Sequence, residues 1–131
     1  MNAEIKALLK EDIEQFYDSL VDCETYSFPL DVQQRMDAWG LSSSALGERM
    51  LVSHTIVDRW RQGKARPNGK ERMKELGMAL GMGTAELDAF LYCNGYPKLY
   101  AKNPLDSAAK LLVLNSAGRA DVVDMYRELI G

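Results

Sequence analysis

The residues able to do chemistry in this 131-residue chain are few and unevenly placed. The single histidine, His54, has no cysteine or carboxylate spaced to serve with it as nucleophile and base. No glycine-rich phosphate cradle is present either, because Gly81-Met82-Gly83 reads as a helix-end turn. Cys23 and Cys93 stand 70 positions apart with no CxxC spacing, which predicts two ordinary buried or half-buried thiols rather than a zinc site or a disulfide. Catalysis, a metal and a cofactor are therefore not expected. What the side chains do offer is clustered charge. Residues 53–74 carry seven bases (Arg59, Arg61, Lys64, Arg66, Lys70, Arg72, Lys74) against Asp58 and Glu71, whereas residues 1–40 carry nine acids against three bases. Cations at that density can neutralise phosphates. A phosphate feels the local field, so the net charge of -3 does not exclude a nucleic-acid partner.

The elements that must position these residues are helical throughout. Apolar residues at 47% and charged residues at 27% are globular proportions, and the length fits one compact domain or a small domain with a helical extension. Apolar runs are short and broken by charge, and the first residues lack the basic start and apolar stretch of a secretion signal. No membrane span and a cytoplasmic location are expected. Residues 2–21 place Ile5, Leu8, Leu9, Ile13, Phe16, Tyr17 and Leu20 at three- and four-residue steps, the pattern of an amphipathic helix. Phe28 before Pro29 disfavours helix, so residues 22–30 read as a linker.

From there the punctuation is dense. Asp31 can cap a helix carrying Val32, Met36 and Trp39 that ends at Gly40. Ser42 or Ser43 can cap a second through Leu46, Gly47 and Met50, and Ser53 a third carrying Ile56, Val57 and Trp60 and closing at Gly63. A fourth fits residues 70–80, with Met73, Leu76 and Leu80 inward. A fifth fits residues 85–93, capped by Thr84 without the acidic partner of a capping box and stopped by Asn94-Gly95. Residues 96–104 form a connector before two more helices at 106–115 and 120–130. The expected fold is all-α, divided into an N-terminal amphipathic helix and linker (1–30), a five-helix domain (31–95) and a C-terminal helical extension (96–131).

The stretch from Gly40 to Pro67 resembles the phage-repressor and Cro-like (XRE-like) helix-turn-helix family. Leu46, Met50, Val52, Val57 and Trp60 occupy its apolar positions, Gly47 is the small residue at the close crossing, and Ser53 opens the second helix. Trp60-Arg61-Gln62-Gly63 followed by Pro67 is similar to the family's exit from that helix. One departure stands out: Leu51 occupies the turn position where the family often has glycine, so it must take a positive φ or alter the turn at about 1 kcal/mol. Residues 94–106, Asn94-Gly95-Tyr96-Pro97 through Asn103-Pro104-Leu105-Asp106, look like a tail found in a subgroup of such proteins from Gram-positive bacteria. They imply a short helical appendage and no chemistry.

The resemblance implies a repressor-like DNA-binding transcription regulator, usually a homodimer reading double-stranded DNA. The helix around residues 53–62 would enter the major groove. The implied base contacts are His54, Thr55, Asp58 and Arg59. Arg59 can bond guanine bidentately, Asp58 can accept from cytosine or orient Arg59, and Thr55 can meet thymine. The implied phosphate contacts are Ser42, Ser43 and Ser44 at a helix N-terminus, with Arg61, Lys64, Arg66 and Lys70 beyond the recognition helix. Other readings of the same residues stay open. His54 also suits a solvated helix start, the Lys/Arg cluster a solvated face, and Met36, Met50 and Met73 flexible core filler; Trp60 faces inward as core. The N-terminal stripe can cover this domain's own core, form a dimer interface or dock a partner, and the C-terminal extension can serve in its place. A non-catalytic protein-interaction module, such as an antitoxin or adaptor keeping the fold, is the competing function.

Overall fold

A computed structural model of the chain describes residues 23–131, and seven helices are its only regular elements among them. In chain order they are α1 (Phe28–Trp39), α2 (Ser43–Met50), α3 (His54–Arg61), α4 (Lys70–Ala79), α5 (Thr84–Cys93), α6 (Pro104–Ser116) and α7 (Val122–Ile130). The expected helix at residues 2–21 lies outside the described residues. None of the described helices is long and apolar enough to cross a membrane.

Helix α1 begins earlier than the capping pattern suggests. Ser27, not Asp31, is the cap, its Oγ accepting from the amide of Leu30 at 3.4 Å. Pro29 falls in the first turn, where a missing N–H leaves no helical bond unmade. The linker therefore ends before Phe28. The restriction that proline places on Phe28 is outweighed by burial, since this ring is 1% exposed and stacks on Phe90 with centroids 6.2 Å apart.

Helix α2 is capped by Ser42, which accepts from the Ala45 amide at 3.0 Å, and α3 by Ser53, which accepts from Ile56. Between them Leu51 takes the left-handed conformation at φ 57°, the strain expected of a non-glycine residue there. Its side chain is 69% exposed, so no burial offsets that strain locally. The turn is closed instead by the Val52 amide, which donates to the Gly47 oxygen at 2.9 Å. A Cβ at position 47 would stand 2.6 Å from the Val52 oxygen, so glycine here admits the returning turn itself.

Two further boundaries shift. Gly83 rather than Thr84 precedes α5, and this one-residue change brings Glu86 into place to accept from the Gly83 amide at 3.3 Å. The acidic partner that the Thr84 register lacked is thus present. Helix α6 starts at Pro104 because Asn103 caps it, its Oδ1 accepting from the amides of Leu105 and Asp106.

Helix α4 is the axis of the core, buried without interruption from Met73 to Leu80. Around it close Val32 and Met36 of α1, Leu46 and Met50 of α2, Val57 and Trp60 of α3, and Leu87 and Phe90 of α5. Val113, Val123 and Tyr126 belong to the same apolar cluster, so the C-terminal helices share one core with those before them. Trp39, at the end of α1, is 49% exposed, and its ring lies against Gly81 and Gly118, covering two turns.

Polar groups complete the C-terminal attachment. The fully buried Lys74 donates to Asp106 at 2.7 Å and pairs with Glu71, and Lys70 reaches the other oxygen of Asp106 at 2.8 Å. Burial opposes the charge on Asp106. Hydrogen bonds from both lysines and from the Tyr100 amide outweigh it and hold this carboxyl below the ordinary range.

The expectation of two free thiols is overturned: Cys23 and Cys93 form a disulfide, with sulfurs 2.14 Å and Cα atoms 5.2 Å apart. Spacing along the chain misled because the end of α5 folds back to the segment that leads into α1. The 70-residue separation vanishes in space.

Candidate nucleic-acid interface

Helix α3 presents two unlike faces. Val57 and Trp60 are buried and fasten it to the core, while His54, Thr55 and Arg59 project as exposed residues. Among the described residues those three side chains, with the exposed Lys64, make no hydrogen bond or ion pair. Arg59 lines a cleft of about 250 Å³ that also takes in Ile56, Trp60 and Pro67 as apolar wall and Arg66 and Arg72 as further cations. Of these guanidiniums Arg72 is paired with Glu75 at 3.3 Å, whereas Arg59 and Arg66 stand exposed beside the apolar wall.

The other residues singled out from the sequence divide into two groups. Ser43, Asp58 and Arg61 bond to one another. The Ser43 hydroxyl donates to Asp58 at 2.5 Å and accepts from Arg61 Nη1 at 2.8 Å, and Arg61 Nε donates to Gln33 at 2.6 Å. This knot ties α1, α2 and α3 together. Asp58 therefore turns toward Ser43 and Arg61, not toward Arg59, which corrects its expected role of orienting Arg59. Ser42 has its hydroxyl engaged in capping, and Ser44 is exposed beside it.

Arg66 and Lys70 sit beyond α3 and differ in availability. Lys70 is half-buried and donates to both Asp106 and the Lys98 carbonyl, so its ammonium serves the C-terminal attachment rather than an open basic face. Arg66 remains exposed and is oriented by its surroundings. Its Nη1 donates to Asn94 Oδ1 at 2.9 Å, and its guanidinium lies 5.2 Å above the Phe28 ring. Asn94 in turn donates to the Tyr26 hydroxyl at 3.0 Å, and that hydroxyl donates to Asp31 at 3.0 Å. Burial pushes the Tyr26 hydroxyl well above its ordinary pKa and keeps it a donor.

Two participants escaped the sequence reading. Gln33 carries no charge and lies 28 positions from Arg61, and Asn94 looked like a helix stop. Only the meeting of distant segments makes either a partner. Among the described residues no group of three or more His, Cys, Asp or Glu side chains is placed to hold a metal ion. No protein-family model, curated protein or solved structure matches the chain.

Proposed function

We propose that this chain is a sequence-specific DNA-binding transcription regulator of repressor-like helix-turn-helix type, acting as a homodimer in the bacterial cytoplasm without catalytic activity. The observation that carries the reading is the pairing of α2 and α3 across the Leu51 turn with Arg59 exposed and unpaired on the outer face of α3. A helix held rigidly by Val57 and Trp60 can present His54, Thr55 and Arg59 to base edges without ordering itself first. Lys64, Arg66 and the α2 N-terminus with Ser42 and Ser44 would then meet phosphates, and the Ser43–Asp58–Arg61 knot would set the angle between the two helices.

The test is selection of bound fragments from a random DNA pool at moderate salt. An enriched motif whose recovery is lost when Arg59→Ala and Lys64→Ala are combined, with helical content unchanged, supports the reading. Absence of any enriched motif defeats it.

One observation favours the protein-interaction alternative. Leu111 and Leu114 of α6 and Leu129 and Ile130 of α7 are exposed, an apolar presence that DNA reading does not require. A stoichiometric protein partner with no salt-sensitive DNA binding would decide for that reading.

A further inference from the structure

The disulfide stands next to an exposed cation, Arg66, whose position other residues dictate. Cys93 is the last residue of α5 and Asn94 follows it directly; Cys23 opens the segment that carries Tyr26 and Phe28. The Asn94 side chain is held from two sides, donating to the Phe90 carbonyl at 2.7 Å and to Tyr26 at 3.0 Å, and this leaves its oxygen to accept from Arg66. Phe28, from the same stapled segment, lies beneath the Arg66 guanidinium. Everything that orients Arg66 thus belongs to the two strands of chain that the sulfur bridge joins. Arg66 shares its cleft with Arg59.

We propose that the Cys23–Cys93 bond is a redox-sensitive control that sets the placement of Arg66 and, through it, the affinity of this face for DNA. The DNA clause rests on the function proposed above. Protein that meets DNA in a reducing cytosol holds a disulfide as a bond to be made and broken, not as a permanent staple. Both cysteines are half-buried, within reach of a small thiol. In the reducing step a thiolate of the glutathione class attacks one sulfur and expels the other as a thiolate. A second thiol then resolves the mixed disulfide, so two small thiols leave as one disulfide and both cysteines become thiols. The segment before α1 loses its covalent tether, the Tyr26–Asn94 contact loosens, and Arg66 loses its acceptor. The reverse exchange, in which a small-molecule disulfide of the glutathione class accepts the two electrons and leaves as two thiols, restores all three.

The experiment compares the full chain oxidised in air, the same chain reduced with dithiothreitol, and the Cys23→Ser, Cys93→Ser double variant. Two readouts are taken: affinity for a selected DNA fragment across a salt series, and the NMR signals of the Asn94 side-chain amide and the Arg66 Nε–H without DNA. The oxidised form should bind roughly three- to tenfold more tightly, as one charge-assisted phosphate contact would, with a log–log salt slope steeper by about 1. Arg66→Ala should erase the difference between forms. Reduction and the double variant should shift both NMR signals alike. Two titratable thiols in the air-oxidised protein, unchanged signals, or equal affinity of both forms for the fragment overturns the proposal. Should neither form bind DNA while both signals shift, the DNA reading fails and the link from cysteine to Arg66 stands.

Discussion

The Nη2 of Arg127 in the last helix donates to the main-chain oxygen of Met50 at 3.2 Å, bridging 77 positions to the residue just before the Leu51 turn. The same guanidinium donates through Nε to Glu75 at 2.5 Å. An unpaired carbonyl at the end of α2 thereby gains a charged donor from α7, and the C-terminal helix becomes a brace for the turn between α2 and α3.

Arg127→Ala should accordingly destabilise the whole protein, not only its C-terminus. The loss of two charge-assisted bonds should lower stability by about 1–3 kcal/mol in urea unfolding, with amide exchange rising at Leu51 and Val52. Exchange that rises only in α7 would show that the brace does not reach the turn.

The Lys74–Asp106 pair predicts a defined pH response. Because Asp106 is held below the ordinary carboxylate range, its contribution is present above the unfolded value of about 4 and is lost as pH falls through the depressed value. Hydrogen bonds to Asp106, Glu71 and Tyr126 overcome the burial that would depress Lys74, so its pKa is raised. That contribution is present below about 10.4 and is lost as pH rises through the higher folded value. Burial, then the bond to Glu71, pushes Tyr126 up to about 12, adding a stabilisation that disappears between about 10 and 12. Asp106→Asn should cost on the order of 3 kcal/mol at neutral pH and flatten the acid limb of the stability profile. A variant with an unchanged acid limb would mean that Asp106 does not set it.

Position 51 should be improvable. Leu51→Gly relieves a left-handed backbone without losing buried surface, and a gain of about 0.5–1 kcal/mol is expected in thermal unfolding. Gly47→Ala should do the opposite, since its methyl would meet the Val52 oxygen. Equal melting temperatures for all three proteins would contradict the turn geometry.

On the DNA face, Arg59→Ala and Lys64→Ala should fail differently. Arg59→Ala should lose about 1–3 kcal/mol on the selected site and relax preference at one base pair. Lys64→Ala should weaken all fragments alike and reduce the salt slope by about 1. Matching profiles for the two variants would remove Arg59 from base reading.

Covalent linkage adds a further expectation. In the chain-entropy description a closed loop of 70 residues contributes about 4 kcal/mol, so reduction should lower the urea midpoint markedly without changing helical content. A midpoint that is the same with and without dithiothreitol would show that the bridge is not formed in solution.

What the amino-acid sequence determined by itself is local. Each helix-forming segment from Val32 onward was legible because the 3.6-residue repeat of apolar side chains and the caps at Ser42, Ser53 and Gly40 act within one turn of backbone. At Leu51 a positive φ and an altered turn both stayed open, and the backbone takes the positive φ. Boundaries slipped where two local rules competed, as at Pro29, which limits Phe28 yet suits a first turn, and at Gly83, where Glu86 fixed the register. Tertiary structure alone decided which charges are available. Asp58, Arg61 and Lys70 look as free in the sequence as Arg59, but Ser43, Gln33 and Asp106 approach them only after distant helices pack. Cys23 and Cys93 became a pair on the same terms. Periodicity reports which face of a helix is buried; it carries no information about which distant group that burial brings within 3 Å.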